Sequence, residues 1–176
     1  MTSTMVSLLV APSKNHLPKV LHSVLIEACS AAINARGVFT IAISGGSLPS
    51  FLSDLNKSFI ISGVDPRYNC WHVLLADERC VPSEDPENNL SAIRANFLSG
   101  TSIPETQIYG IDELKLNEPT AVIAIEYEKS VRAVLSLSGG YLDLAILGFG
   151  PDGMSTVKLF GEALKNTTFS NASHSL

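Results

Sequence analysis

The sequence predicts an α/β fold, an open and mostly parallel sheet with helices on both faces. Three observations carry this reading. Short apolar runs rich in β-branched and aromatic residues alternate with longer segments of helical spacing. The runs are nearly continuous rather than alternating in polarity, which suits strands covered on both sides. Glycine-rich or charged loops directly follow three of them, beyond the carboxyl ends where open α/β sheets collect ligands.

Val6 to Val10 is a short apolar run and reads as a first strand. Leu17, Val20, Leu21, Val24, Leu25, Ala28 and Ala32 then recur at helical spacing, and Gly37 stands where a C-terminal cap would stop that helix. Val38 to Ile43 reads as a buried strand. It runs into Ser44-Gly45-Gly46-Ser47 and then a helical pattern led by Pro49, a residue tolerated in a first helical turn. Trp71 to Ala76 is the next strand, followed by a polar loop to Asn89 and a short helix ending near Leu98. Thr120 to Leu137 is helical, with Ala124, Tyr127, Val131, Val134 and Leu135 on one face, and Leu142 to Leu147 is the last clear strand. Residues 1–160 therefore read as one domain. Residues 161–176 are Ser/Thr/Asn-rich and weakly periodic, the pattern of a flexible tail.

Composition narrows the function classes. A net charge of −5 without any Lys/Arg cluster predicts neither a nucleic-acid nor an anionic-membrane partner. No stretch approaches the roughly 18 unbroken apolar residues of a membrane span. Three cysteines in no metal or CxxC spacing, and an N-terminus without a basic leader, predict a reducing, cytoplasmic setting. Oligomeric state leaves no signal in the sequence.

The three loops after Ile43, Ala76 and Leu147 carry the polar chemistry. Ser44-Gly45-Gly46-Ser47 can present backbone N–H groups and two hydroxyls to an anion, or can be a tight turn in which Ser47 caps the next helix. It lacks the Gly-Lys-Ser/Thr ending of a Walker loop. In Asp77-Glu78-Arg79, Arg79 suits a substrate phosphate, carboxylate or oxyanion, and Asp77 suits orienting a partner side chain; a solvated turn with an internal ion pair is the plainer account. Asn89 is a second polar candidate, or a turn or cap residue. Gly148-Phe149-Gly150-Pro151-Asp152-Gly153 satisfies GxGxxG, but Pro151 interrupts it and no acid follows at the spacing a dinucleotide site requires. Gly150 and Gly153 then serve a tight loop, with Asp152 pointing into the site or capping a turn. Among other candidates, His22 reads as solvated, His72 as a packed or edge side chain, and Cys80 as a small buried residue.

Three ordered segments, Ser44-Gly45-Gly46-Ser47-Leu48-Pro49, Asp77-Glu78-Arg79-Cys80-Val81-Pro82 and Gly148-Phe149-Gly150-Pro151-Asp152-Gly153, resemble the signatures of the 6-phosphogluconolactonases. The wider relatives are the glucosamine-6-phosphate deaminases and other sugar-phosphate isomerases, whose fold is a modified Rossmann-like sheet. The resemblance implies hydrolysis of 6-phospho-D-glucono-1,5-lactone to 6-phosphogluconate, in the oxidative pentose phosphate pathway, with no metal or organic cofactor. It implies that Ser44, Gly45, Gly46 and Ser47 help hold the 6-phosphate, with Asp77, Asn89, Gly150 and Gly153 around it. Arg79 would sit near the lactone or its phosphate, and Asp152 would contribute to the site. The family pattern has a histidine, the proton-handling group, where this chain has Met154. The family's chains also continue past this region, whereas this sequence ends at Leu176, so the expected fold lacks its C-terminal part. A chain that binds phosphosugars without turnover, or a sugar-phosphate isomerase or deaminase, are the alternative expectations.

Overall fold

A computed structural model describes residues 8–148. The expectations for Asp152, Met154, Gly150, Gly153 and the 161–176 tail lie outside them, as does the start of the first expected strand. Four strands, β1 (Phe39–Ile43), β2 (Trp71–Leu75), β3 (Ile108–Tyr109) and β4 (Leu144–Ile146), form one sheet in the order β3-β2-β1-β4. Every pairing is parallel; Ile43 lies opposite Leu75 and Ile146. The main helices are α1 (Leu17–Arg36), α2 (Leu55–Ser62), α3 (Asn89–Asn96) and α4 (Thr120–Leu137).

Alternation along the two central strands divides the core. Phe39, Ile41 and Ile43 of β1 and Trp71, Val73 and Leu75 of β2 face a cluster that includes Leu25 and Cys29 of α1, Phe59 of α2 and Ile93 of α3. Ala42, Leu74 and Ala76 face the opposite way, onto Val131, Val134 and Leu135 of α4. Both faces of the sheet are thus covered, which is why β1 is apolar at nearly every position. Trp71 anchors the larger cluster, edge-on to Phe39 at 4.8 Å between ring centroids, with its indole N–H donating to the Pro66 carbonyl at 2.8 Å. Burying each such side chain contributes about 1.5–3 kcal/mol. The same burial pushes the Cys29 thiol up to about 12, so it is a packing residue rather than a nucleophile.

α1 ends at Gly37, whose left-handed φ of 73° lets its N–H reach the Ile33 carbonyl. Asp143 then fixes β4 beside β1. Its carboxylate accepts from the Thr40 N–H (2.8 Å) and hydroxyl (3.0 Å) and pairs with Arg36.

Several expectations are corrected. Leu8 to Val10 belong to no strand and are exposed, because no strand among the described residues pairs with them. The pattern led by Pro49 splits into a 3-10 turn over Pro49–Leu52 and then α2. Leu142–Leu147 shortens to three paired residues, and Ala145 and Leu147 are exposed where a fully buried strand was expected. Ile123, not Ala124, is buried on α4. β3 carries no sequence signal, since two residues are too few to show a period.

Candidate active site

The loops that leave β1 and β2 meet at the carboxyl end of the sheet because their strands are neighbours in register. The Ser44 N–H donates to the Ile146 carbonyl (3.0 Å), and the Ala76 N–H to the Ile43 carbonyl (2.9 Å), so the ladder continues one residue past the strands. Beyond it, the Asp77 carboxylate gathers three groups. Oδ1 accepts from the Ser44 hydroxyl at 2.9 Å and the Gly45 N–H at 3.0 Å, and Oδ2 accepts from Arg79 Nη1 at 3.1 Å. The Asp77 side chain is 10% exposed and that of Arg79 51%. The acid is therefore committed to holding the loops, while the guanidinium reaches the open side.

Gly45 is buried and Gly46 and Ser47 are exposed. Gly45 is required by close approach: a Cβ there would lie 1.9 Å from Asn89 Oδ1. Asn89 in turn donates from Nδ2 to the Asp77 carbonyl at 3.0 Å and is itself buried. Its geometry is that of a brace between two loops. The α3 cap is the preceding residue, Asn88, whose side chain accepts from the Ser91 N–H at 2.8 Å. Ser47 provides no side-chain cap for the turn that follows it. Gly148 brings the third loop alongside, since a Cβ there would stand 3.9 Å from the Ser44 hydroxyl.

Glu78, quoted in the motif but given no role from sequence, is fully engaged. Oε1 accepts from the N–H groups of Arg79 and Asn89, both at 2.8 Å, and Oε2 from that of Leu90 at 2.9 Å. Tyr127 of α4 was also read only as apolar packing. Its hydroxyl accepts from the Leu75 N–H (2.7 Å) and donates to the Leu75 carbonyl (2.9 Å). β3 stops at Tyr109, so among the described residues this hydroxyl serves the Leu75 N–H and C=O that lie past the end of β3, two residues before Asp77. The only sequence signal for it is a tyrosine, which needs a polar partner, on an otherwise buried helix face.

His22 and Cys80 differ from expectation, whereas His72 is the packed strand side chain that was expected. His22 is buried, not solvated: Nε2 donates to the Phe51 carbonyl and Nδ1 accepts from the Ser58 hydroxyl, both at 2.7 Å. Burial lowers its pKa, partly opposed by the Phe51 hydrogen bond and Asp54. His72 is half-buried on β2 with Nδ1 2.9 Å from the Tyr109 hydroxyl, and burial lowers its pKa too. Cys80 is a free and exposed cysteine, not the small buried residue expected. A cavity of about 550 Å³ is lined by Glu78, Asn88, Leu90, Arg94, Gly110 and Asp112 among others, and none of Ser44, Gly45, Asp77 or Arg79 borders it. Among the described residues no group of three His, Cys, Asp or Glu side chains is placed to hold a metal ion, and no helix is long and apolar enough to cross a membrane.

Residues 12–163 match the family described as glucosamine-6-phosphate isomerases/6-phosphogluconolactonase. Probable 6-phosphogluconolactonase 5 of Arabidopsis thaliana is 32% identical over 156 residues, which are 83% of this chain and 61% of the relative. Probable 6-phosphogluconolactonase 3, chloroplastic, of Oryza sativa subsp. indica is 34% identical over 155 residues, 83% of this chain and 46% of the relative. The solved 6-phosphogluconolactonase of Trypanosoma cruzi superposes with a TM-score of 0.69 at 25% identity, over 84% of this chain and 60% of that one. The chain thus spans about half to three-fifths of the length of these relatives. Because the family match runs from residue 12 to residue 163, well over half of the chain, the chain belongs to the glucosamine-6-phosphate isomerase/6-phosphogluconolactonase family.

Proposed function

We infer that this chain carries the phosphosugar site of a 6-phosphogluconolactonase, and that its reaction is hydrolysis of 6-phospho-D-glucono-1,5-lactone. The observation that carries this is the clustering of the Ser44–Ser47 loop, Arg79 and Asp77 in one hydrogen-bonded unit at the carboxyl end of the sheet. The names of the relatives supply the substrate.

In this reading Gly46 and Ser47 take the phosphate at the exposed part of the loop, with Ser44 beneath them. Arg79 faces the carbonyl oxygen or the phosphate and stabilises the charge that develops when water adds to C1. Addition of water makes a tetrahedral centre, the C1–ring oxygen bond breaks, and the ring oxygen leaves as the C5 hydroxyl. The products are the open-chain carboxylate and one proton. Asp152, Gly150 and Gly153 belong to this proposal through their motif alone. A cytoplasmic setting belongs to it as well, although the rice relative is named as chloroplastic.

One sequence observation favours a second reading, a binder without turnover: Met154 cannot take a proton from the attacking water. Lactone hydrolysis by the purified chain, measured above the spontaneous rate, separates the two. Turnover supports the hydrolase. Saturable 6-phosphogluconate binding without turnover supports the binder, and neither result would leave no phosphosugar role.

A further inference from the structure

We propose that Glu78 is the positioning residue of this site, the anion that locks the β1 loop, the β2 loop and α3 into one unit and thereby sets where Arg79 reaches. The proposal rests on the phosphosugar reading for its functional consequence, but its geometry stands apart from it.

The first N–H groups of a helix lack intrahelical acceptors and attract anions. At α3 they are already occupied: those of Asn89 and Leu90 donate to the Glu78 carboxylate and that of Ser91 to Asn88. The chain has filled this anion position with its own side chain, so a substrate phosphate is left the Ser44–Ser47 loop. The same carboxylate accepts from the Arg79 N–H, which fixes the backbone from which the guanidinium extends.

The effect propagates through named contacts. Glu78 holds the Asn89 backbone; the Asn89 side chain holds the Asp77 carbonyl and abuts Gly45; the Asp77 carboxylate holds the Gly45 N–H and Arg79. Four groups on three segments are thus referred to one carboxylate. Hydrogen bonds to an ionised acceptor are the strong kind, which suits such a pin. Asp77 and Arg79 are the residues of the motif that a ligand-based reading selects; Glu78, whose carboxylate is taken up by three backbone N–H groups, acts through them.

The test uses the ¹⁵N-labelled full chain, its Glu78→Gln variant and its Glu78→Ala variant, titrated with 6-phosphogluconate. Glu78→Gln keeps the shape but turns one acceptor into a donor facing an N–H. The expected result is binding weaker by about tenfold. The amide signals of Gly45, Arg79 and Asn89 should be displaced, while those of Ile41 and Val73 in the core stay in place. Sodium acetate should restore part of the affinity of Glu78→Ala, and sodium chloride at equal ionic strength should not, a rescue that general stabilisation would not mimic. Unchanged affinity, with the displaced signals confined to Glu78's direct partners Arg79, Asn89 and Leu90, would reduce Glu78 to a local cap and overturn the proposal. If the unmodified chain binds no 6-phosphogluconate, the phosphosugar reading fails, and the spectra alone decide the positioning role. A displaced Gly45 signal then supports it, and a stationary one overturns it.

Discussion

The hydroxyl of Ser44 donates to the carboxylate of Asp77 over 2.9 Å, joining loops that leave adjacent strands 33 residues apart in sequence. The same oxygen takes the Gly45 N–H, so the shape of the first loop depends on an acid in the second. Replacing Asp77 by Ala is expected to cost about 2–3 kcal/mol through these nearly buried bonds to a charged acceptor. The Arg79 ion pair adds only about 0–1 kcal/mol because that guanidinium is half exposed. Urea unfolding measures the sum, and a loss below about 0.5 kcal/mol would show that the loops hold without Asp77.

Gly45→Ala places a methyl inside the space of the Asn89 side chain. The loop or Asn89 must move, at a cost of about 1–3 kcal/mol. The double variant Gly45→Ala/Asn89→Ala removes the obstructing amide and should recover part of that loss. Strict additivity in a double-mutant cycle would contradict the contact.

Tyr127→Phe deletes one oxygen and leaves the N–H and C=O of Leu75 without their partner. About 1–3 kcal/mol of stability should be lost. Amide exchange at Leu75 should accelerate more than at Val73 in the same strand. Equal protection in both proteins would mean that Tyr127 contributes only its ring.

His22 makes stability depend on pH. Burial lowers its pKa below the ordinary 6.5, so the folded chain binds fewer protons than the unfolded one beneath that value. Its contribution is complete above pH 6.5 and declines as pH falls below it, because burial penalises the charged imidazole. Urea midpoints at pH 7.5 and about 5.5 should differ more for this chain than for His22→Asn. A parallel pH dependence in both would remove the role.

Under the proposed hydrolase reading, Met154→His supplies a side chain that can take the proton of the attacking water. The rate of lactone hydrolysis should rise by about 10²- to 10⁴-fold if proton handling is the missing element. An unchanged rate in a folded protein would place the deficit elsewhere.

Periodicity made α1 and α4 legible to within a residue, because each sustains an apolar stripe over four or more turns and Gly37 ends the first. β1 and β2 were legible for the related reason that burial on both faces demands a nearly continuous apolar run. β3 was not, being defined by two residues and a neighbour. The meeting of the Ser44 and Asp77 loops followed from their position after strands, but who contacts whom did not. Glu78, Asn89 and Tyr127 act through backbone N–H and C=O groups far away in sequence, and no local pattern encodes such partners. His22 was misread because its polar partners, Ser58 and Phe51, arrive from segments about 30 residues away.

The most direct test of the account is calorimetric titration of the chain with 6-phosphogluconate and, in parallel, with gluconate. The site described here predicts saturable binding of the phosphorylated acid, at least about tenfold weaker binding of gluconate, and loss of the phosphorylated ligand in Arg79→Ala. Equal binding of both acids, or an Arg79→Ala variant that binds as tightly as the unmodified chain, would contradict it.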